Sequence, residues 1–269
     1  MVPENIDVVH LNHHVNEIPQ KPYIQTMHGN LNHTMELDQN TVFVSKNHAA
    51  RFGSTSYVHN GIDPADYGSP ILNKDQVKNY FHFLGDAAWR VKNVKGAIQI
   101  AKLAHQKLRV IGGVRFNLNQ GIRLTFDTHV RFDGMQGGDQ KNEIIKYSKG
   151  LIFPVRWHEP FGLALIESLY FGCPVFGTPY GSLPEIVIPE VGYLTTTASS
   201  SVSELTDAVA NVNDFNRKKC HEYVMENFTH IQMTASYLSL YEKVLNGEKL
   251  NPKAPILQSI QYEKFLPFN

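Results

Sequence analysis

Two glutamates eight positions apart, on either side of a Pro-Phe-Gly-Leu run, are the residues of this sequence best suited to chemistry. Glu159 directly precedes the run, and Glu167 follows about two helical turns later, roughly 9–12 Å along a helix axis. At the start of such a helix the backbone N–H groups of Phe161, Gly162 and Leu163 would lack partners. Together with the helix dipole they would bind a phosphate, and a glycine lets an anion approach closely.

The two carboxylates would accept hydrogen bonds from hydroxyl groups at either end of this phosphate site. A nucleotide sugar has that layout, because its diphosphate lies between a ribose and a hexose. A plainer interpretation fits the spacing as well: Glu159 stabilises the helix dipole and Glu167 is an incidental surface residue. The spacing alone favours the plainer interpretation, whereas the motifs that surround it favour the nucleotide sugar.

A regular alternation of strand and helix patterns surrounds the two glutamates. Short apolar runs predict strands at 80–85, 108–113, 129–134, 150–155 and 173–178. Helical periodicity predicts helices at 93–104, 138–148, 161–172, 202–212 and 231–246. Pro160 suits the first turn of the helix that carries Glu167, where its missing N–H has no cost. Strands and helices in alternation predict an α/β fold with a parallel sheet covered by helices on both faces.

The first sixty residues repeat this pattern on a smaller scale. Strands are predicted at 6–11, 22–27, 41–45 and 56–59. Ser45 is a predicted N-cap for a short helix over 46–52. A segment of this size buries too little apolar surface to be stable alone. It is therefore expected to lean on the rest of the chain or on a partner.

Composition and charge narrow the class of protein. Lys+Arg and Asp+Glu number 25 each, so no long-range field favours nucleic acid or an anionic membrane. No signal-peptide pattern and no apolar run of membrane-spanning length is visible, which predicts a soluble, cytoplasmic protein. The two cysteines lack metal-ligand spacing, and so do His10, His13 and His14. No metal is expected.

Four motifs in order resemble the retaining GT-B glycosyltransferases of group 1, also called family 4. The segment from Glu159 to Glu167 matches the E-x7-E signature of that family without gaps. The other three are NGID at 60–63, FLGDAAWRVKNVKGAI at 83–98, and CPV at 173–175 followed by TPYGSLPE at 178–185. Thr26-Met27-His28-Gly29 also resembles the family's T-x-H-[GD] segment. Asp86 departs from the family's usual Arg after Gly85, and Ser182 from a usual Gly.

The resemblance implies a role for each matching residue. Glu159 would contact hydroxyls of the donor sugar, Glu167 the ribose, and Lys92 would neutralise the diphosphate on the leaving nucleotide. Lys95 is the alternative if the register slips by three residues. His28 would line the cleft near the anomeric carbon. The remaining donor-binding residues would be Gly85, Arg90, Phe161, Gly162, Leu163, Gly181 and Ser182.

The resemblance also implies how the chain is divided. Residues 1–63 would be a partial N-terminal, acceptor-side Rossmann-like domain, followed by a linker at 64–79. Residues 80–230 would form the C-terminal nucleotide-sugar-binding domain, and 231–269 a helix and tail that pack back toward the first domain. Family members usually carry a strand and a Gly-rich loop before the matched part, and none is visible before Ile6. The chain could be a fragment, have a misassigned start, or be completed by self-association or a partner.

The implied activity is transfer of a hexosyl group, with retention, from a UDP- or GDP-linked sugar to a glycan, lipid or small-molecule acceptor. The acceptor could lie at a membrane surface. No cofactor is expected beyond the donor substrate. The alternative is a non-catalytic nucleotide-sugar-binding subunit or truncated homologue that needs a partner for activity.

Overall fold

A computed structural model describes most of the chain. The described residues are 2–13, 15, 17–31, 33–117, 123–196, 201–261 and 264–269. His14 lies outside them. The strands are β1 Val9–Leu11, β2 Tyr23–Met27, β3 Thr41–Phe43, β4 Phe81–Leu84, β5 Leu108–Ile111, β6 Phe116–Asn117, β7 Arg123–Leu124, β8 Val130–Phe132, β9 Leu151–Phe153, β10 Val175–Gly177 and β11 Gly192–Leu194. The α-helices are α1 Lys46–Arg51, α2 Val94–Leu103, α3 Gly138–Lys146, α4 Leu163–Tyr170, α5 Leu183–Ile186, α6 Ser201–Ala210, α7 Arg217–Asn227 and α8 His230–Leu245.

A small parallel sheet, in the order β1-β2-β3, is built from the first part of the chain. The predicted strands at 6–11, 22–27 and 41–45 are confirmed here, although each is shorter than its apolar run. Ser45 caps α1 as predicted, because its side chain accepts a hydrogen bond from the backbone N–H of His48. The predicted strand at 56–59 is reduced to a single bridge between Phe43 and Tyr57.

The rest of the chain builds a larger parallel sheet of six strands, in the order β11-β10-β9-β4-β5-β8. Buried apolar clusters cover it on both faces, as the near-continuous apolar strands predict. The first strand of this sheet, β4, lies beside β9, and later strands are added outward on either side. The chain therefore leaves β4 and β9 in opposite directions and opens a crevice at their carboxyl ends. Open α/β sheets bind their ligands at such a switch point.

Two stretches of chain cross between the sheets side by side. The backbone N–H of Ile62 donates to the Phe228 carbonyl at 3.0 Å, and the N–H of His230 donates to the Ile62 carbonyl at 2.8 Å. A Cβ at Gly61 would collide with the Thr229 backbone, so only glycine permits this approach. After the crossing α8 packs on β2, where the Tyr237 and Thr26 hydroxyl oxygens are 3.0 Å apart.

The last described residues follow a different path from the one expected for the tail. Residues 251–258 lie against the small sheet: the side-chain amide of Asn251 donates to the Thr41 carbonyl. The final segment, 264–269, instead lies on the large-sheet part, where the N–H of Leu266 donates to the Arg156 carbonyl at 2.8 Å. Among the described residues, no helix has both the length and the apolar character needed to cross a membrane.

Candidate functional site

Lys92 and Glu159 meet in the crevice between the carboxyl ends of β4 and β9. Lys92 ends a 3₁₀ turn that follows β4, and its Nζ lies 2.7 Å from Oε2 of Glu159. Only 13% of the lysine side chain and 6% of the glutamate side chain are exposed. A nearly buried carboxylate needs such a partner, because an unpaired charge would be costly there. Lys95, the alternative lysine, is exposed on α2.

Both tryptophans of the chain enclose this ion pair. The indole N–H of Trp157 donates to Oε2 of Glu159 at 2.9 Å, and its ring centroid is 4.9 Å from Nζ of Lys92. The Trp89 ring lies 5.0 Å from the Trp157 ring. The aromatic faces favour the ammonium, and the N–H orients the carboxylate. Sequence reasoning missed this enclosure, although both tryptophans lie within three residues of a motif residue.

The helix after Glu159 begins later than predicted. Gly162 is the N-cap, with φ of 85° in the left-handed region, so α4 starts at Leu163 and Pro160 lies outside it. Phe161 is buried in the core rather than helical. Among the described residues no partner accepts a hydrogen bond from the backbone N–H of Leu163 or Ala164. The backbone N–H groups of Phe161 and Gly162 likewise have no described acceptor, so the amides around the helix start are available for an anion.

The loop 181–182 holds the backbone of Glu159 in place, and the Ser182 amide is used for this contact. The Ser182 backbone N–H donates to the Glu159 carbonyl at 2.9 Å, and its buried hydroxyl donates to the Phe161 carbonyl at 2.6 Å. The predicted role of the Ser182 amide is corrected accordingly, because that donor is already used. Gly181 has φ of 67°, and a Cβ there would collide with the Glu159 backbone.

Glu167 is held by two residues that sequence reasoning did not single out. Its Oε1 accepts from Lys141 Nζ at 2.6 Å and from the Tyr67 hydroxyl at 2.8 Å. Burial, followed by the charge and hydrogen bond of Glu167, raises the pKa of Tyr67. Tyr67 comes from the predicted linker and Lys141 from α3, so contacts 100 and 26 residues apart in sequence build this half of the site. Each site glutamate is thus paired with one lysine.

Gly85 and Arg90 lie on the loop between β4 and α2. Gly85 has φ of 151°, and its carbonyl is so close to Gly112 that no side chain fits between them. The exposed Arg90 side chain has its Cζ 5.0 Å from the ring centroid of Phe265 and is not in contact with the Lys92–Glu159 pair. The structure therefore places Arg90 at the rim of the crevice.

The chain matches the family model of the glycosyl transferases group 1 over residues 69–230. It belongs to this family. It is 30% identical over 174 residues to N-acetyl-alpha-D-glucosaminyl L-malate synthase of Bacillus anthracis, a match that covers 60% of this chain and 44% of that enzyme. The chain thus spans less than half the length of this relative.

Solved structures of glycosyltransferases share the fold of this group 1 chain. AviGT4, involved in avilamycin A biosynthesis, superimposes with a TM-score of 0.69 at 19% identity, over 90% of this chain and 75% of AviGT4. Sucrose-phosphate synthase of Thermosynechococcus elongatus superimposes with a TM-score of 0.68 at 17% identity, over 90% of this chain and 74% of the synthase chain. Anabaena HepE, solved with UDP and glucose, superimposes with a TM-score of 0.62 at 15% identity, over 83% of this chain and 72% of HepE. The predicted GT-B α/β fold is confirmed.

The loop after β2 reaches the residue before Glu159. Nδ2 of Asn30 donates to the His158 carbonyl at 2.7 Å, and Arg51 donates to Oδ1 of Asn30 at 2.6 Å. His28, two residues before Asn30, has its Nε2 3.3 Å from Oδ1 of Asn12. Burial lowers the pKa of His28, which favours a neutral imidazole at neutral pH. The loop that carries His28 therefore touches the segment that carries Glu159.

A second contact joins the two sheets. Glu185, in α5, accepts hydrogen bonds from the amides of Lys46 at 2.8 Å and Asn47 at 2.5 Å, at the start of α1. His59 Nε2 lies 3.2 Å from the same carboxylate. Burial opposes ionisation, but the contacts from His59 and the two amides lower the pKa of Glu185 overall. The Pro-Glu end of the fourth motif is thus an inter-sheet contact.

No group of three or more His, Cys, Asp or Glu side chains in the described part of the chain has the geometry to hold a metal ion. His10, one of the histidines considered at the sequence level, contacts the Tyr241 hydroxyl at 2.7 Å and Thr26 Oγ1 at 2.8 Å instead.

Proposed function

We propose that this chain transfers a hexosyl group from a UDP- or GDP-linked sugar to a glycan, lipid or small-molecule acceptor, with retention of the anomeric configuration. The observation that carries the proposal is the arrangement at α4. Two amides without partners among the described residues lie at the helix start, and two lysine-paired carboxylates, Glu159 and Glu167, lie on either side in sequence. This set combines donors for a diphosphate with acceptors for sugar hydroxyls.

The diphosphate would bind at the amides of Leu163 and Ala164 with Lys92 beside it. Glu159 holds the Lys92 ammonium in an ion pair, so the cation would already be in place when the phosphate arrives. As the bond between the anomeric carbon and the phosphate oxygen breaks, negative charge grows on the leaving diphosphate. A fixed ammonium and fixed amides stabilise that charge without having to reorganise.

The two glutamates would hold the sugars. Glu159 would accept hydrogen bonds from donor-sugar hydroxyls while Trp157 keeps its carboxylate oriented. Glu167 would accept a hydrogen bond from a ribose hydroxyl. For this, Lys141 or Tyr67 would release its present hydrogen bond to the carboxylate. The nucleotide would then run along the start of α4, with its base beyond Glu167.

Retention requires the acceptor oxygen to attack the anomeric carbon from the face that the leaving group vacates. In this proposal the new bond to the acceptor oxygen forms as the bond to phosphate breaks. The acceptor hydroxyl proton passes to an oxygen of the departing diphosphate, so no protein nucleophile is needed. The loop with His28, joined through Asn30 to His158, would border the acceptor side.

The domain roles belong to the same proposal. Residues 80–230 would bind the donor, and residues 1–63 would contribute the acceptor side, connected by 64–79. Completion of the acceptor side by a partner or by self-association, and action in the cytoplasm, are further parts of the proposal.

Calorimetric titration with UDP and with GDP, followed by turnover assays with a panel of nucleotide sugars, tests the proposal. We expect one nucleotide to bind clearly better and one sugar to be transferred, with the product anomer identified by NMR. Binding without turnover would favour a nucleotide-sugar-binding subunit instead. If neither nucleotide binds, both functions are wrong.

A further inference from the structure

Three cationic side chains lie around one aromatic ring near the crevice. The Phe265 ring centroid lies 5.0 Å from Cζ of Arg90, 5.2 Å from Cζ of Arg156 and 5.9 Å from Nζ of Lys264. Each distance is in the range at which a ring face attracts a cation. None of the three side chains forms an ion pair with a carboxylate of the described residues.

The cluster lies at the switch point of the large sheet. Arg90 follows β4 and is two residues before Lys92, while Arg156 follows β9 and is three residues before Glu159. The backbone joins the same two loops, because the N–H of Arg156 donates to the Val91 carbonyl at 2.7 Å. The two arginines therefore come from the same two loops as the Lys92–Glu159 pair.

The segment that carries Phe265 is fastened at several points. Arg156 and Leu266 exchange two hydrogen bonds: the Leu266 N–H donates to the Arg156 carbonyl, and Nε of Arg156 donates to the Leu266 carbonyl, both at 2.8 Å. The Tyr180 hydroxyl donates to the Pro267 carbonyl at 2.7 Å. The Phe268 side chain packs next to Gly96, where any larger residue would collide with it. Phe265 is thus held in place beside the arginines.

Three like charges around one ring repel one another, and the ring offsets only part of that repulsion. The Nε–H of Arg156 is used by Leu266, but its other guanidinium N–H groups and those of Arg90 donate to no described acceptor. Guanidinium groups with free N–H pairs are well suited to phosphate oxygens. The described part of this cluster is therefore suited to bind an anion.

We propose that Arg156 is a second diphosphate contact of the donor site and that Phe265 is its positioning residue, holding Arg156 and Arg90 toward the phosphates. The inference rests on the proposed function. The donor diphosphate would lie between Lys92 on one side and the two arginines on the other. The C-terminal segment 264–269 is then part of the donor site rather than a surface tail.

Inorganic pyrophosphate tests this directly, because it carries the diphosphate charge with neither base nor sugar. We would titrate pyrophosphate, UDP and uridine into the wild type, Phe265→Leu, Phe265→Tyr and Arg156→Gln by calorimetry, with thermal unfolding of each. Phe126→Leu is the matched control, because Phe126 is 80% exposed and outside the cluster. We expect Phe265→Leu and Arg156→Gln to weaken pyrophosphate and UDP binding about tenfold, with a shallower salt dependence. Uridine binding should not change.

Phe265→Tyr should restore the affinity, because it keeps the ring face and changes the packing little. Rescue by Tyr with loss in Leu identifies the ring–guanidinium contact as the cause. If the wild type binds pyrophosphate and Phe265→Leu binds it equally well or more tightly, the inference is wrong while the proposed function stands. If the wild type binds none of pyrophosphate, UDP and GDP, the proposed function itself is wrong.

Discussion

A buried histidine of the large-sheet part is hydrogen-bonded within that part, whereas a buried threonine and a helix start of the small-sheet part rely on segments outside it. In the large sheet His82 is fully buried between the hydroxyls of Ser148, at 2.8 Å, and Ser168, at 2.9 Å. In the small sheet Thr26 is hydrogen-bonded to Tyr237, 211 residues later.

The start of α1 shows the same dependence, since Glu185 of the large-sheet part accepts hydrogen bonds from its amides. Several buried side chains of the small-sheet part have polar atoms without a described hydrogen-bond partner, and His48 is one of them. His48 is 1% exposed, and its ring nitrogens form no well-aligned hydrogen bond to described residues, although the Gly29 backbone lies nearby. The residues proposed to bind the donor thus lie in the large-sheet part, and the small sheet depends on that part and on α8.

Removing the support of α8 should give the largest effect and should separate the two parts. Tyr237→Ala deletes a side chain that is 8% exposed, and we expect a loss of about 3–5 kcal/mol, the usual scale for a buried aromatic. Hydrogen exchange should accelerate in β2 and β3 first, while nucleotide affinity is unchanged. Leu238→Ala, 53% exposed on the same helix, is the control. Equal acceleration in β4 and β9 would show that the parts are not separable.

Within the large-sheet part, Glu159→Gln should separate turnover from binding. The amide keeps the shape and the contact with Trp157 but loses the charge that would orient the sugar. We expect the turnover number to fall about 10²–10³-fold, the scale for removing one transition-state contact. UDP or GDP affinity should hold or rise, because Lys92 loses its present counter-ion. Parallel losses in affinity and turnover would argue that Glu159 acts through folding.

Lys92→Met should show the opposite pattern. Loss of the ammonium is expected to weaken nucleoside diphosphate binding by about 1.5–3 kcal/mol, the scale of a hydrogen bond to a charged group. Lys95→Met is the matched control, since Lys95 is exposed on the next helix. Calorimetric titration compares the nucleotide affinities of the two variants. Thermal unfolding measures any loss of stability that results from leaving Glu159 unpaired. A larger effect from Lys95→Met would reverse the lysine assignment.

The remaining predictions concern the two buried histidines, one in each part of the molecule. Burial, with nearby Arg51, lowers the pKa of His48 to about 3, and burial, with nearby Arg217, lowers the pKa of His82 to about 3. Between pH 6.5 and 3 the unfolded histidines bind protons and the folded ones do not. The free energy of unfolding should therefore fall on acidification across this window, by about 1.4 kcal/mol per pH unit and per histidine.

The two histidines should respond differently to substitution by phenylalanine. His48→Phe removes poorly satisfied nitrogens beside Phe43 and Phe52, so at pH 7 it should be neutral or stabilising. His82→Phe leaves two serine hydroxyls without their ring partner and should destabilise. Urea unfolding at pH 7 and pH 5 measures both, and each variant should be less sensitive to acid than the wild type. If His82→Phe raises the free energy of unfolding, the expected difference between the two histidines is wrong.

Local pattern predicted much of the fold and one half of the site. Apolar runs located the longer strands of the large sheet, and Ser45 was identified as a cap because its hydrogen bond spans only three residues. The predictions missed β11, which has three residues, and α7, where the buried positions include Arg217, a residue that sequence patterns treat as exposed. Short or polar elements carry a weak local pattern, because contacts with the rest of the fold stabilise them.

Long-range contacts account for the other half of the site. Tyr67 and Lys141 carry no local signal for their hold on Glu167, and no spacing relates Phe265 to Arg90. The start of α4 was misplaced because Pro160 is suited to a helix start, whereas the left-handed Gly162 determines it. The assigned roles of the site residues remain predictions.

A crystal structure of the chain with UDP or GDP, whichever binds better, tests the central claim most directly. We expect phosphate oxygens within hydrogen-bond distance of the Leu163 and Ala164 amides and of Nζ of Lys92, with ribose hydroxyls on Glu167. A nucleotide bound elsewhere, or those two amides turned toward protein acceptors in the complex, would contradict the account.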